Sequence, residues 1–287
     1  MSHLRSRTLD SVRGVKGNGA INARNIKEKV TGLFALGLAA ITAIPALAGS
    51  GSWNKTGSMN NARLYATATL LSNGEVLVAG GGLSDAAGGS AEVYNPASGK
   101  WTVTGSMTTP RFSHQAVLLH NGVVLVAGGF VSNNISTSAE LYNPSTGTWT
   151  AAGSMNVARE SFFLVVLANG EVLAGGGAGS WPPLSSAELY DPGTGTWTPT
   201  GSMPAGSECD GSATLMPNGQ VLATCFGAAS IYDSSTGAWA ATSQPPPAAG
   251  GGRMGVLPNG QIWCEGDLLY TPATGEWTAF STPSPVQ

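Results

Sequence analysis

The chain has 287 residues, 42% hydrophobic and only 10% charged, with 41 glycines and a net charge of −3. Regular apolar content over this length excludes an intrinsically disordered chain, and the acidic balance argues against nucleic acid as a partner. Residues 1–31 stand apart, holding seven of the 13 basic residues (Arg5, Arg7, Arg13, Lys16, Arg24, Lys27, Lys29) against Asp10 and Glu28. An apolar run from Leu33 to Ala48 follows, containing Pro45 and closing on Ala46-Leu47-Ala48, an A-x-A cleavage pattern. It is shorter than the roughly 20 residues of a comfortable membrane span. The expectation is a signal peptide at 1–48, cut after Ala48, and a secreted product, extracellular or periplasmic. If the segment is kept, it anchors the chain to a membrane. Cleavage leaves 239 residues (287 − 48), with six basic residues against 14 acidic ones, a charge of −8.

From Arg63 the chain repeats a phrase. RLYATATLLSNGEVLVAGG returns as RFSHQAVLLHNGVVLVAGG from Arg111 and RESFFLVVLANGEVLAGGG from Arg159, with degraded copies at 207–227 and 253–266. Each reads as two apolar strands joined at Asn-Gly, a pair suited to a two-residue turn with both φ angles positive. A variable loop leads to a third strand ending in tyrosine, at Tyr94, Tyr142, Tyr190, Tyr232 and Tyr270. A short turn such as NPSTG then leads to a tryptophan that opens a fourth strand. The tryptophans at 53, 101, 149, 197, 239 and 277 are spaced by 48, 48, 48, 42 and 38 residues. Four strands at a period near fifty mark a propeller array.

The order of arginine, strand, turn, strand, Gly-Gly, loop, tyrosine, turn and tryptophan resembles the kelch repeat, five times in register between Trp53 and Trp277. The resemblance extends to the galactose oxidase-like superfamily and to secreted bacterial kelch proteins. It implies an all-β propeller of four-stranded antiparallel blades, the first strand of each lining a central channel. We expect five blades, near 63–103, 111–151, 159–199, 207–241 and 253–280, in one domain over 49–287. Trp53 opens a fourth strand with no first three before it, so 51–57 is expected to act as a clasp strand against blade five. If Pro217 faces Gln220 across the Asn218-Gly219 turn, Cys225 lies opposite Ser212 and Cys209 opposite Ala228. That is too far out of register for a disulfide.

Candidate binding residues sit at the rim where second strands exit and first strands begin. Arg63, Arg111, Arg159 and Arg253 share one slot there. They admit two readings: a cationic mouth gripping carboxylates, or structural pairing with Glu92, Glu140 and Glu188. The second is favoured, because blade four loses both the arginine and the glutamate. Glu160, Glu208 and Asp210 lie beside that slot, and paired carboxylates can serve glycoside chemistry, although solvated acids are the plainer reading. Trp181, in the loop GSWPPLSS, suits stacking on a sugar or a partner. The resemblance also brings in copper radical oxidases, which need two histidines, two tyrosines and a crosslinked cysteine. After cleavage only His114 and His120 are left, six residues apart along one hairpin strand, or about 20 Å. No metal, cofactor or catalytic residue is expected. The expected function is a monomeric binding module using the variable rim loops 82–90, 130–138 and 178–186, with a protein or glycan partner. The alternative is a carbohydrate-active enzyme or lectin at the channel mouth, resembling kelch propellers of the sialic-acid epimerising type.

Overall fold

The computed structural model describes residues 54–82, 88–178, 183–204, 212–225, 228–243, 253–265 and 268–279. The leader and apolar run, Trp181, Glu208, Cys209 and Asp210 lie outside the described residues. Among the described residues no helix is long and apolar enough to cross a membrane.

Blade one is β1 (Thr67–Leu70), β2 (Val76–Ala79), β3 (Ala91–Asn95) and β4 (Lys100–Thr104). Blade two is β5 (Gln115–Leu118), β6 (Val124–Ala127), β9 (Ala139–Asn143) and β10 (Thr148–Ala152), with a small hairpin of β7 (Phe130–Val131) and β8 (Asn134–Ile135) set into its loop. Blade three is β11 (Phe163–Val166), β12 (Val172–Gly175), β13 (Ala187–Asp191) and β14 (Thr196–Thr200). Blade four is β15 (Ser212–Leu215), β16 (Val221–Cys225), β17 (Ala228–Asp233) and β18 (Ala238–Ala241), and blade five is β19 (Met254–Val256), β20 (Ile262–Cys264), β21 (Leu268–Thr271) and β22 (Glu276–Ala279). Each is an antiparallel meander in chain order.

The second strands are apolar on both faces because each is covered twice. Leu77 and Ala79 meet Val124, Val126 and Tyr142 of the next blade. Leu125 and Ala127 meet Val172, Ala174 and Tyr190. The pattern continues with Leu173 against Val221 and Tyr232, and with Leu222 against Ile262 and Tyr270. The first strands lie side by side in the same order, β1 by β5, β5 by β11, β11 by β15 and β15 by β19. No contact of like extent joins β19 to β1 among the described residues. The near face of blade one is nevertheless covered, since Val76 and Val78 are buried.

Of the segment expected as a clasp against blade five, the described residues Thr56 and Gly57 contact blade one. Thr56 Oγ1 is 2.6 Å from Tyr94 Oη, the Gly57 N–H donates to Gly99 O, and Trp101 Nε1 donates to Gly57 O. Thr104, Gly105 and Trp149 repeat these contacts between blades one and two. Residues 54–57 therefore sit where a preceding blade would put its outer strand. They form no ladder with β22 among the described residues.

The hairpin turns differ from the expected type. Only the glycine has a positive φ, +83° at Gly74, and its N–H donates to Leu71 O while the Leu71 N–H donates to Glu75 O. This is a three-residue loop ending in a glycine bulge. The asparagine stays on the right-handed side because its side-chain oxygen accepts the N–H two residues on, as Asn73 Oδ1 does from Glu75. The bulge moves the register by one, so Ser212 faces Thr224 rather than Cys225. The two-residue turn with both φ positive occurs elsewhere, at Ser132 (+46°) and Asn133 (+66°) between β7 and β8. Cys264 is a buried free thiol.

Candidate functional site

The arginines of the first three blades do not face a ligand. Arg63, Arg111 and Arg159 are 6%, 1% and 0% exposed, and each pairs with the glutamate of its own third strand: Glu92 at 3.0 Å, Glu140 at 3.0 Å and Glu188 at 3.2 Å. The same guanidinium donates to the Gly-Gly carbonyl and to a loop serine, Gly128 O and Ser138 O for Arg111. Each glutamate also accepts from the connection arriving from the preceding blade. Asn60 and Asn61 N–H donate to Glu92, Thr108 and Thr109 N–H to Glu140, and Asn156 and Val157 N–H to Glu188. Burial pushes the Glu92 carboxyl up, but these donors outweigh it and hold the group below its ordinary value. Of the two readings of Arg63, Arg111 and Arg159, these contacts match the structural pairing rather than the cationic mouth. Arg253 is exposed, and its backbone exchanges hydrogen bonds with Glu265.

What the mouth presents is set by the two residues after each arginine. The second of them, Tyr65, Ser113 and Ser161, is left-handed in all three blades, with φ of 57°, 53° and 50°. Non-glycine residues held there cost about 1–3 kcal/mol each, and such strain gathers at functional sites. A backbone relay fixes them, as the Ser113 N–H donates to Tyr65 O and the Ser161 N–H to Ser113 O. Tyr65 is 63% exposed and Leu64 40%, two of the three most exposed large apolar residues among those described. Phe112 stacks on Phe130 at 5.1 Å and 16°, and Tyr65 stands 6.4 Å from Phe112. Backbone bonds between Phe112 and Phe130 tie the β7–β8 hairpin to this platform. Glu160 occupies the Phe112 slot in blade three, and the Ser161 hydroxyl donates to it at 2.5 Å.

Sequence reasoning missed Leu64, Tyr65, Phe112 and Phe130. The signal was the slot after each arginine, held in turn by Leu64, Phe112 and Glu160.

His114 is buried, with Nε2 3.0 Å from Thr67 Oγ1. It fills the place that the fully buried Phe162 takes in blade three. Burial and the nearby Arg111 charge lower its pKa from 6.5 to about 3, against a bond to the Ala79 backbone. The unfolded chain then binds more protons, so this residue erodes stability as pH falls from 6.5 towards about 3. His114→Phe should melt close to wild type at neutral pH and lose less stability on acidification. An unchanged acid limb in thermal melts followed by circular dichroism would refute this. His120 lies beyond the other end of β5, and among the described residues no three metal-binding side chains gather.

The kelch motif matches residues 111–156 and 161–204. The solved structure of YjhT superposes with a TM-score of 0.61 at 14% identity, covering 80% of this chain and 83% of that one. A fungal alcohol oxidase of the AA5 family, in complex with copper, gives a TM-score of 0.46 at 14% identity over 71% of this chain and 58% of that chain. No curated protein matches. The fold is a β-propeller of four-stranded antiparallel blades. The propeller carries kelch motifs within its second and third blades.

Proposed function

We propose that this chain is an exported binding module whose recognition surface is the propeller mouth around Leu64, Tyr65, Phe112 and Phe130. The observation that carries this reading is a half-buried Phe112–Phe130 stack with Leu64 and Tyr65 exposed beside it, held on strained, hydrogen-bonded backbone. Free apolar surface of this kind marks interaction sites on soluble proteins. Export rests on the basic leader and the Ala46-Leu47-Ala48 pattern. A glycan-binding variant of the same reading is favoured by the flat aromatic faces beside Ser113, Ser161 and Glu160, a combination suited to the two faces of a sugar ring. The enzyme reading loses ground because three of the four arginines it drew on are buried in ion pairs.

The test uses protein recovered outside the cell, beginning at or near Gly49, in a pulldown and on a glycan array. Tyr65→Ala should abolish capture in whichever assay is positive and leave the melting temperature within about 2 °C, as exposed changes do. Full retention of capture would overturn the assignment of the surface.

A further inference from the structure

Away from the mouth, the fold repeats one small piece of chemistry five times. Asn73-Gly74, Asn121-Gly122, Asn169-Gly170, Asn218-Gly219 and Asn259-Gly260 are the first-hairpin turns of the five blades, and all five asparagines are exposed. Asparagine before glycine is prone to deamidation, because no Cβ shields the glycine nitrogen. What restrains it is how firmly the side-chain amide is held. In every turn the asparagine oxygen accepts the N–H two residues on, at 3.0–3.1 Å. Every glycine N–H donates to the carbonyl three residues back, at 2.9–3.0 Å.

The nitrogen end of the amide separates one turn from the other four. Asn73 donates to Glu75 at 2.9 Å, Asn169 to Glu171 at 2.6 Å, Asn218 to Gln220 at 2.9 Å and Asn259 to Gln261 at 2.7 Å. In blade two that position is Val123, which has no side-chain acceptor. Asn121 is held at its oxygen only.

We propose that Asn121 is a spontaneous modification site, the turn at which this propeller deamidates first. The Gly122 nitrogen attacks Asn121 Cγ and gives up its proton, forming the N–Cγ bond of a succinimide ring. The Cγ–Nδ2 bond breaks and the side-chain nitrogen leaves as ammonia. Water then opens the ring at either carbonyl to leave aspartate or isoaspartate, and nothing else is consumed. Attack requires the amide plane to turn, and a second hydrogen bond at Nδ2 opposes that rotation. At Asn73 and Asn169 the neighbouring carboxylate also disfavours the negative charge that builds on the oxygen during attack. The product adds a carboxylate to a shallow hollow of about 290 Å³ lined by His120, Asn169, Glu171 and Asp191.

The test follows the folded protein at mildly alkaline pH, with digestion at intervals and mass spectrometry of the five turn peptides. Asn121 should convert roughly fivefold faster than any of the other four, the factor that one net hydrogen bond is worth. Val123→Glu should bring Asn121 down to the rate of its neighbours. Glu171→Val should raise Asn169 to the rate of Asn121. Both changes copy a residue that the same slot already holds in another blade, so the fold is kept, and His120 is constant throughout. Equal rates at all five turns, or variants that leave the order unchanged, would overturn the proposal.

Discussion

Arg159→Ala should destabilise the protein by about 3–5 kcal/mol, the loss expected when one partner of a buried ion pair is removed and the other stays behind. Arg159 is fully buried, and it donates to Gly176 O, Ser186 O, Ser186 Oγ and Glu188. Truncation leaves the Glu188 carboxylate, 1% exposed, with only neutral donors. The double change Arg159→Met with Glu188→Leu should recover only part of the loss, because it removes the stranded charge but leaves the Asn156 and Val157 N–H groups without their acceptor. Blade five already holds Leu268 in the glutamate slot. Chemical denaturation reads both results, and a single-variant loss below about 1 kcal/mol, the worth of a surface ion pair, would show that the site is wet.

The second large effect is expected at Gly129. Its φ is +81°, and an added Cβ would stand 2.4 Å from Phe112 O and 2.8 Å from His114 N. Gly129→Ala therefore meets backbone that cannot rotate away. About 1–2 kcal/mol of left-handed strain adds to about 1–3 kcal/mol of overpacking. The Gly129 N–H also donates to Arg159 O of the next blade, so the damage reaches two blades. Gly195→Ala makes a clean control, because its φ of +71° carries strain but no atom lies within 4 Å of the added carbon. Equal melting temperatures for the two variants would refute the clash argument.

The blade plan was legible because it rests on repetition. Period, alternation, the tyrosine–tryptophan pair and the Asn-Gly turn each recur in the same order, so one physical reading is checked five times. Tyr142 and Trp149 face each other across β9 and β10 with ring centroids 4.9 Å apart, as the seven-residue spacing implies. Register was less legible. Choosing between a two-residue turn and a bulged three-residue turn depends on whether asparagine bonds its own backbone, and the dipeptide alone permits either. The site was least legible, because the mouth is shaped by left-handed backbone at Tyr65, Ser113 and Ser161, a tyrosine and two serines, none of them a residue type that announces this conformation. The Arg63–Glu92 family of pairs was visible as co-occurring slots. Its inward direction follows from packing, since each guanidinium finds carbonyls only beneath the loop.

The glutamates that accept from the incoming connections make the first three blades into links of one chain. Each of Glu92, Glu140 and Glu188 clamps a segment arriving from the side of the preceding blade. Blades four and five have Ser230 and Leu268 at that place, and neither can grip two amides as a carboxylate does. Among the described residues the carboxylate clamp is therefore confined to the blades up to β14, and resistance to opening should be graded in the same way, firm over the amino-terminal half and slack beyond. Thermal breathing should begin at the slack end and stop where the first carboxylate is met, leaving the aromatic mouth of blades one and two standing while the other side loosens.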